Sequence, residues 1–408
     1  FKTGKQVENS INISSGSDKA SVNAGFSRMN QEGIVPNQEV TRTTMYFGGS
    51  AQLENGLFLS GNVNYVNTEQ QSPQSASSAF ADYYGGEGSS SIYARLFYLP
   101  RNFDLNGLPF ESPVDGSNMF YRALDNPLWI AKYNLYTSDV NRVYGNLTAK
   151  YDVTSWLELM VKGGINTYSE SRRNINRPGG SSLPLGRVWT EDLTNTEIDF
   201  NYIATVDKDF NEDLSFKALL GFNNNQRELT RKRVTGNQII QAGLNLTNAT
   251  SQQQVNYDFS TLRRLYGAYF DMSLSYKDYL FLNVVGRNDW SSTLPKENNS
   301  YFYPGASVSF IFTDALSIPD NILNSGKIRL AATKVGNDAT PYRTNTNYFI
   351  GTPYTTPGGT FTNRAGLQNT LGNPTLKPEF TTEYEIGTDL KFFNNKIGLD
   401  LTLSLIHI

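Results

Sequence analysis

The only histidine in this chain is His407, one residue from its last, and there is no cysteine. A Ser–His–Asp relay needs an imidazole held inside a fold, and zinc sites need His or Cys ligands. Neither chemistry is supported here, and no enzymatic role, cofactor or metal is expected. Carboxylates are plentiful, so a paired-carboxylate glycosidase is the hydrolytic chemistry that the residue types leave open. The same Asp and Glu, spaced among Asn and Ser, equally suit the lining of a water-filled wall. Aromatic rings are abundant, with 24 Tyr, 24 Phe and 4 Trp. They gather in two stretches, one holding Tyr93, Phe97, Tyr98, Phe103, Phe110, Trp129 and Tyr133, the other Tyr342, Tyr348, Phe349, Tyr354 and Phe361. Ring faces stack on sugars or pack against protein. Tyr98, Trp129, Tyr133, Tyr348 and Tyr354 are therefore the candidate contacts for a substrate or a covering partner. The alternative is that these rings pack their own loops.

The elements that must position these residues show themselves by period-two alternation. From 280 to 290, Leu280, Leu282, Val284 and Gly286 fall on one face, against Phe281, Asn283, Val285, Arg287 and Asp289 on the other. Tyr266, Ala268, Phe270, Met272 and Leu274 share a face before them, as do Ile397, Leu399, Leu401 and Leu403 near the end. A helix would scatter these sets, whereas a strand separates them. Further strands are predicted at 6–14, 20–30, 40–53, 57–68, 139–151, 157–168, 194–208, 214–229, 301–313, 327–336 and 383–392. The total is roughly fourteen strands of about ten residues, enough to cross a bilayer at a tilt. Leu280, Leu282, Val284, Phe270, Met272, Leu399 and Leu401 are expected to face lipid.

The links between strands alternate in length, with one turn-side link, 314–326 carrying Pro319 and Asn321, somewhat longer than the others. Short ones carry turn residues, Gly16-Ser17-Asp18, Glu54-Asn55-Gly56, Thr154-Ser155, Asn211-Glu212-Asp213, Lys277-Asp278 and Asn394-Asn395. Long ones run over about 31–39, 69–138, 169–193, 230–258, 291–300 and 337–380, with a short helix expected near Ser91 to Leu99. A soluble sandwich has no reason to alternate this way, whereas outer-membrane barrels do so with short periplasmic turns and long extracellular loops. Mean hydropathy is −0.44 although 13% of residues are aromatic, a mixture that suits strands with one face in lipid and one in water. A net charge of −3 without a basic run argues against a nucleic-acid partner.

Two segments carry a family likeness. One is Gly286-Arg287-Asn288-Asp289-Trp290-Ser291-Ser292-Thr293-Leu294-Pro295, followed by Tyr301-Phe302-Tyr303-Pro304. The other is Asn373-Pro374-Thr375-Leu376-Lys377-Pro378-Glu379, leading into Glu383-Tyr384-Glu385-Ile386-Gly387. Together they resemble the SusC/RagA family of TonB-linked outer-membrane proteins. The likeness extends to the opening hairpin, Ser17-Asp18-Lys19 through Gly33. On the residues alone, Gly286, Arg287, Asn288, Asp289, Trp290, Asn373, Pro374, Leu376, Lys377, Pro378 and Glu379 read as scaffold, with Trp290 anchoring at an aromatic girdle and the prolines stiffening entry into a strand.

The resemblance implies an all-β fold, an antiparallel transmembrane β-barrel of the Gram-negative outer membrane, of which residues 1–408 would supply about 14 of roughly 22 strands. It implies that this stretch is incomplete at both ends, with the plug domain and TonB box upstream and further strands downstream. Residues 404–408 depart from the family's pattern. The implied activity is import of glycans or peptides. The implied partners are a SusD-like surface lipoprotein, the TonB complex acting through the N-terminal region, outer-membrane lipid, and an oligosaccharide or peptide substrate. Two rivals stand beside it, a small passive porin closed by these strands alone and a secreted, β-rich adhesin-like protein.

Overall fold

The computed structural model describes every residue except 1, 75–91, 98, 122–123, 182, 357, 360 and 408. Its strands are β1 (Lys5–Gly16), β2 (Ala20–Glu32), β3 (Glu39–Gln52), β4 (Leu57–Pro73), β5 (Leu135–Thr154), β6 (Leu157–Asn176), β7 (Arg187–Asn211), β8 (Leu214–Ile239), β9 (Thr250–Tyr276), β10 (Leu280–Ser291), β11 (Ser300–Ile311), β12 (Leu323–Asn337), β13 (Tyr348–Thr355), β14 (Phe361–Leu367), β15 (Glu379–Phe392) and β16 (Ile397–His407). Three short helices, α1 (Ile92–Phe97), α2 (Pro127–Tyr133) and α3 (Phe312–Ala315), lie in the links. Fourteen strands form one antiparallel sheet in chain order, β1 to β12 and then β15 and β16, while β13 and β14 make a separate hairpin. Among the described residues β1 and β16 each pair on one side only.

The register sorts the side chains into two faces. One row across ten strands reads Phe302, Asn288, Ala268, Phe222, Tyr202, Val161, Ala149, Leu59, Ala51 and Ala20. The row one residue away reads Tyr301, Asp289, Gly267, Asn223, Asn201, Lys162, Thr148, Ser60, Ser50 and Ser21. Because side chains alternate along a strand, the first row looks out of one face and the second out of the other. Leu280, Leu282, Val284, Phe270 and Met272 lie on the apolar face, and Leu399 and Leu401 continue it at the far edge. Its large side chains are open rather than packed, Ile13 at 64%, Leu147 at 63% and Leu403 at 71% exposure. A continuous apolar surface of this extent is unstable in water and stable against lipid.

Rings mark the limits of the band. Tyr276 packs edge-on against Tyr279 at 5.8 Å near the short turns, and Phe222 stacks on Tyr266 at 6.4 Å toward the long loops. Tyr276 and Tyr266 are ten residues apart on β9, about 34 Å of strand and about 25 Å of height at the usual tilt, the thickness of a barrel's apolar band.

The strands run well past that band, which corrects the expected length of about ten residues. β8 has 26 residues and β9 has 27. The links expected at 169–193 and 230–258 shrink to 177–186 and 240–249. Above the band the formerly apolar face becomes polar: Thr167 bonds Thr196 at 2.8 Å, Ser171 donates to Asp192 at 2.8 Å, and Lys232 pairs with Asp258 at 3.4 Å. Both faces meet water there, so the ladder continues without hydrophobic contrast. The hairpin β13–β14 also lies inside a stretch expected to be loop. The alternation of short and long links is kept except between β11 and β12, where 312–322, with α3 inside it, is longer than the 292–299 link before it. The two-residue turn at Lys277 and Asp278 uses positive φ at both (50° and 55°), which matches the twist of the flanking strands.

The only buried hydrophobic cluster among the described residues sits in the loops, where Val35 and Ile92 pack with Ile130 and Ala131. α2 begins where Asn126 caps it, its Oδ1 accepting from the Leu128 N–H at 2.9 Å, with Pro127 at the first helical position.

Since the chain has no native cysteine, single cysteines report sidedness cleanly. Cysteine at Asn248 or Gly358 is expected to react with an impermeant maleimide on intact cells. Cysteine at Asn55 or Asn395 is expected to react only after the outer membrane is opened. Labelling of both pairs on intact cells would refute the topology.

Candidate functional site

The first sequence motif occupies the upper half of β10 and the link beyond it, and it divides between the faces. Gly286 lies on the apolar face under two rings, since a Cβ there would come within 2.6 Å of Phe270 and 3.0 Å of Phe302. Asn288 bonds the Ser300 hydroxyl at 3.0 Å, and Trp290, 38% exposed, pairs across the strand with Tyr266. Arg287 and Asp289 face the polar side. The Arg287 Nε–H donates to Asp289 Oδ1 at 2.7 Å, and the Tyr303 hydroxyl donates to Asp289 Oδ2 at 2.6 Å. Next to them the Asp199 carboxylate accepts from the amides of Asn223 at 2.9 Å and Asn225 at 3.1 Å.

Beyond β10 the motif gathers around Asp338, a residue that spacing did not single out. The Arg263 fork meets its carboxylate through Nε at 2.9 Å and Nη2 at 2.8 Å. Hydroxyls of Ser291 and Thr293 donate to the same Oδ2. Asp338 lies just past the end of β12 and its side chain is 5% exposed. Burial works to raise its pKa, but the hydrogen bonds from Arg263 and Ser291 outweigh this and hold the carboxyl below its ordinary value.

The second motif meets the first here. Asn373 Oδ1 accepts from the N–H and hydroxyl of Thr375, both at 2.9 Å, which folds Asn373 to Thr375 into a local turn. The Asn298 amide, in the link after the first motif, donates to the carbonyls of Thr375 at 3.2 Å and Leu376 at 3.1 Å. Pro374, Lys377 and Glu379 are exposed, and Leu376 and Pro378 are half-buried. Neither Arg263 nor Asn298 carried a signal in the sequence, because their partners lie 75 or more residues away along the chain.

The candidate ring contacts separate. Trp129 has no exposed surface, and its indole N–H donates to the Gly116 carbonyl at 3.1 Å. As placed it holds the loop together and offers no face to a ligand, which corrects the expectation. Tyr133 is half-buried, its hydroxyl donating to Glu111 at 2.6 Å and its ring covered by the Arg177 guanidinium at 3.9 Å. Hydrogen bonds from Tyr133 and then Lys132 hold the Glu111 carboxyl below its ordinary value. Tyr348, 73% exposed on β13, does present its ring. Tyr354 lies on β13, but its side chain and the whole of Tyr98 fall outside the described residues.

With this wall and its polar face in view, comparison with known proteins decides the family. Residues 76–408 match the TonB dependent receptor-like, beta-barrel family. The chain belongs to that family. TonB-dependent receptor P3 of Formosa agariphila is 20% identical over 419 aligned residues, covering 98% of this chain and 39% of that protein. TonB-dependent receptor P26 of the same organism is 32% identical over 136 residues, 32% of this chain and 13% of the relative. Among solved structures, the RagAB peptide importer in its closed-closed state superposes with a TM-score of 0.80 at 18% identity, covering 100% of this chain and 44% of that one. The chain thus spans less than half the length of these relatives. This TonB-dependent receptor barrel is an outer-membrane protein, and its family is one of receptors and transporters rather than an enzyme class. Its apolar band is the lipid-facing wall and its row of Asn, Ser, Asp and Lys is the lumen-facing one.

Proposed function

We propose that this receptor barrel is the wall of a TonB-dependent importer that carries oligosaccharides or peptides inward, loaded beneath a SusD-like surface lipoprotein and driven by the TonB complex. The observation that supports it most is the paired faces of the fourteen-stranded sheet, an exposed apolar band backed by a hydrogen-bonding polar wall. The plug and the segment that TonB grips would come from parts of such a receptor outside these residues. RagAB is a peptide importer, which keeps peptides beside oligosaccharides as cargo. The exposed ring of Tyr348, on a hairpin that stands in the longest link after β12, suits a contact with the lipoprotein lid. A passive pore closed by these strands alone is less favoured, because among the described residues β1 and β16 each pair on one side only. A secreted adhesin would not expose the apolar band.

The test is growth of the native host on peptides or on oligosaccharides as sole carbon source. Deleting the gene and disabling TonB are each expected to abolish growth on one of the two. Growth that needs the gene but persists without TonB would replace the importer with a passive pore.

A further inference from the structure

Several guanidinium groups on the polar face are neutralised by a carboxylate. Arg172 pairs with Glu170, Arg263 with Asp338 and Arg287 with Asp289. Arg142 and Arg227 are held by amides instead. Arg142 on β5 donates its Nε–H to Asn166 Oδ1 on β6 at 2.9 Å, and its guanidinium carbon lies 4.9 Å from the Tyr144 ring centre. Arg227 on β8 donates its Nε–H to Asn195 Oδ1 on β7 at 3.0 Å. Neither makes an ion pair with a described residue, and both are exposed on this face.

The register shows that this arrangement is reciprocal. Asn166 stands opposite Glu197, which stands opposite Arg227. Asn195 stands opposite Tyr168, which stands opposite Arg142. The two arginines therefore lean toward each other from either side of the β6–β7 pair, onto anchors that are diagonal neighbours about 7–8 Å apart. An amide oxygen fixes the Nε side of each fork without cancelling its charge. The remaining N–H groups keep the planar geometry that grips a carboxylate.

We propose that Arg142 and Arg227 form a recognition site for the carboxylates of an acidic peptide on the lumen wall. The inference rests on the importer reading and deepens it by naming the cargo's chemistry. Glu197 stands in the row of Asn166 and Arg227 and places a negative charge beside the site, its Oε1 accepting from the Asn225 amide at 2.9 Å. A uniformly anionic polyuronate would be repelled there. A peptide meets it with neutral amides or an ammonium while its carboxylates reach the arginines. The Asn side chains around the site offer both donors and acceptors, as a peptide backbone requires.

The site is tested by calorimetric titration of the full-length gene product in detergent at low salt. The probes are an acetylated pentapeptide of alternating glycine and aspartate, its asparagine counterpart, and tetragalacturonate. The aspartate peptide is expected to bind about tenfold more tightly than the asparagine peptide, the scale of hydrogen bonds to a charged group. This comparison needs no variant. Arg142→Gln and Arg227→Gln are each expected to erase about tenfold of the aspartate affinity and to leave the asparagine peptide unchanged, with heat-modifiable gel migration showing that they fold. Equal binding of the two peptides, no binding of either, or tighter binding of tetragalacturonate would overturn the proposal, the last by assigning the arginines to uronate sugars. Arginine-dependent binding without TonB-dependent uptake would uphold the site and fault the importer reading. TonB-dependent uptake with binding indifferent to the arginines would do the reverse.

Discussion

Replacing Val284 with arginine is expected to destabilise the folded barrel by about 2–4 kcal/mol, while the same replacement at its neighbour Asn283 has a small effect. Val284 lies between Met272 and Ala306 on the apolar face, near the middle of the band. A guanidinium there must either leave water or drag lipid headgroups inward. Asn283 looks the other way, its amide donating to Asp271 at 2.6 Å and to the Ser273 hydroxyl at 2.9 Å. An arginine in its place keeps water and gains Asp271 as a partner. Reversible unfolding of the full-length protein in lipid vesicles, followed by tryptophan fluorescence, measures both. Equal losses at the two positions would refute the assigned register, because one residue of slip exchanges the faces of the whole strand.

Removing the Asp338 carboxylate is expected to cost about 3–5 kcal/mol, the scale for breaking one side of a buried ion pair. Asp338→Ala leaves Arg263 facing Ser291 and Thr293 with no counter-charge. The double variant Asp338→Ala with Arg263→Leu is expected to recover much of the loss, since the penalty comes mainly from the orphaned cation. The pair also sets a pH dependence. The folded-state pKa of Asp338 is lowered, so its stabilisation is full above the unfolded value of about 3.9 and fades as pH falls through the lower folded value. Protection of the β10–β11 and β12–β15 links from protease should therefore drop below about pH 4 in the native protein and stay flat in Asp338→Ala. A double variant no better than the single one would show that Asp338 supports the links in some way other than by balancing Arg263.

The legible part of the site was the motif residues, and the illegible part was their partners. Arg287, Asp289 and Trp290 stood out in the sequence, yet Arg263, Asp338 and Asn298 are what join the first motif to its surroundings. Trp129 reads in the sequence as a ring in a loop. Its burial depends on α2 and on the Gly116 carbonyl, and ring content alone does not say whether a ring lines a surface or fills a core. Arg142 and Arg227 carried no signal, since an arginine on a polar strand face looks the same whether an amide or a carboxylate holds it.

The sequence by itself determined the strands inside the bilayer, their order of short and long links, and which side chains meet lipid. The physical reason is that hydrocarbon and water impose opposite demands on successive residues, so the contrast is written locally at period two. Tertiary structure alone decided how far β6 to β9 continue, because above the band Ser169, Thr194, Thr230 and Ser260 stand in one row with water on both sides and no hydrophobic contrast to mark a strand. It also decided which charges meet. Pairing of strands distant in sequence brings Arg263 to Asp338 and turns Arg142 and Arg227 toward each other, and that register is a property of the whole sheet rather than of any one segment.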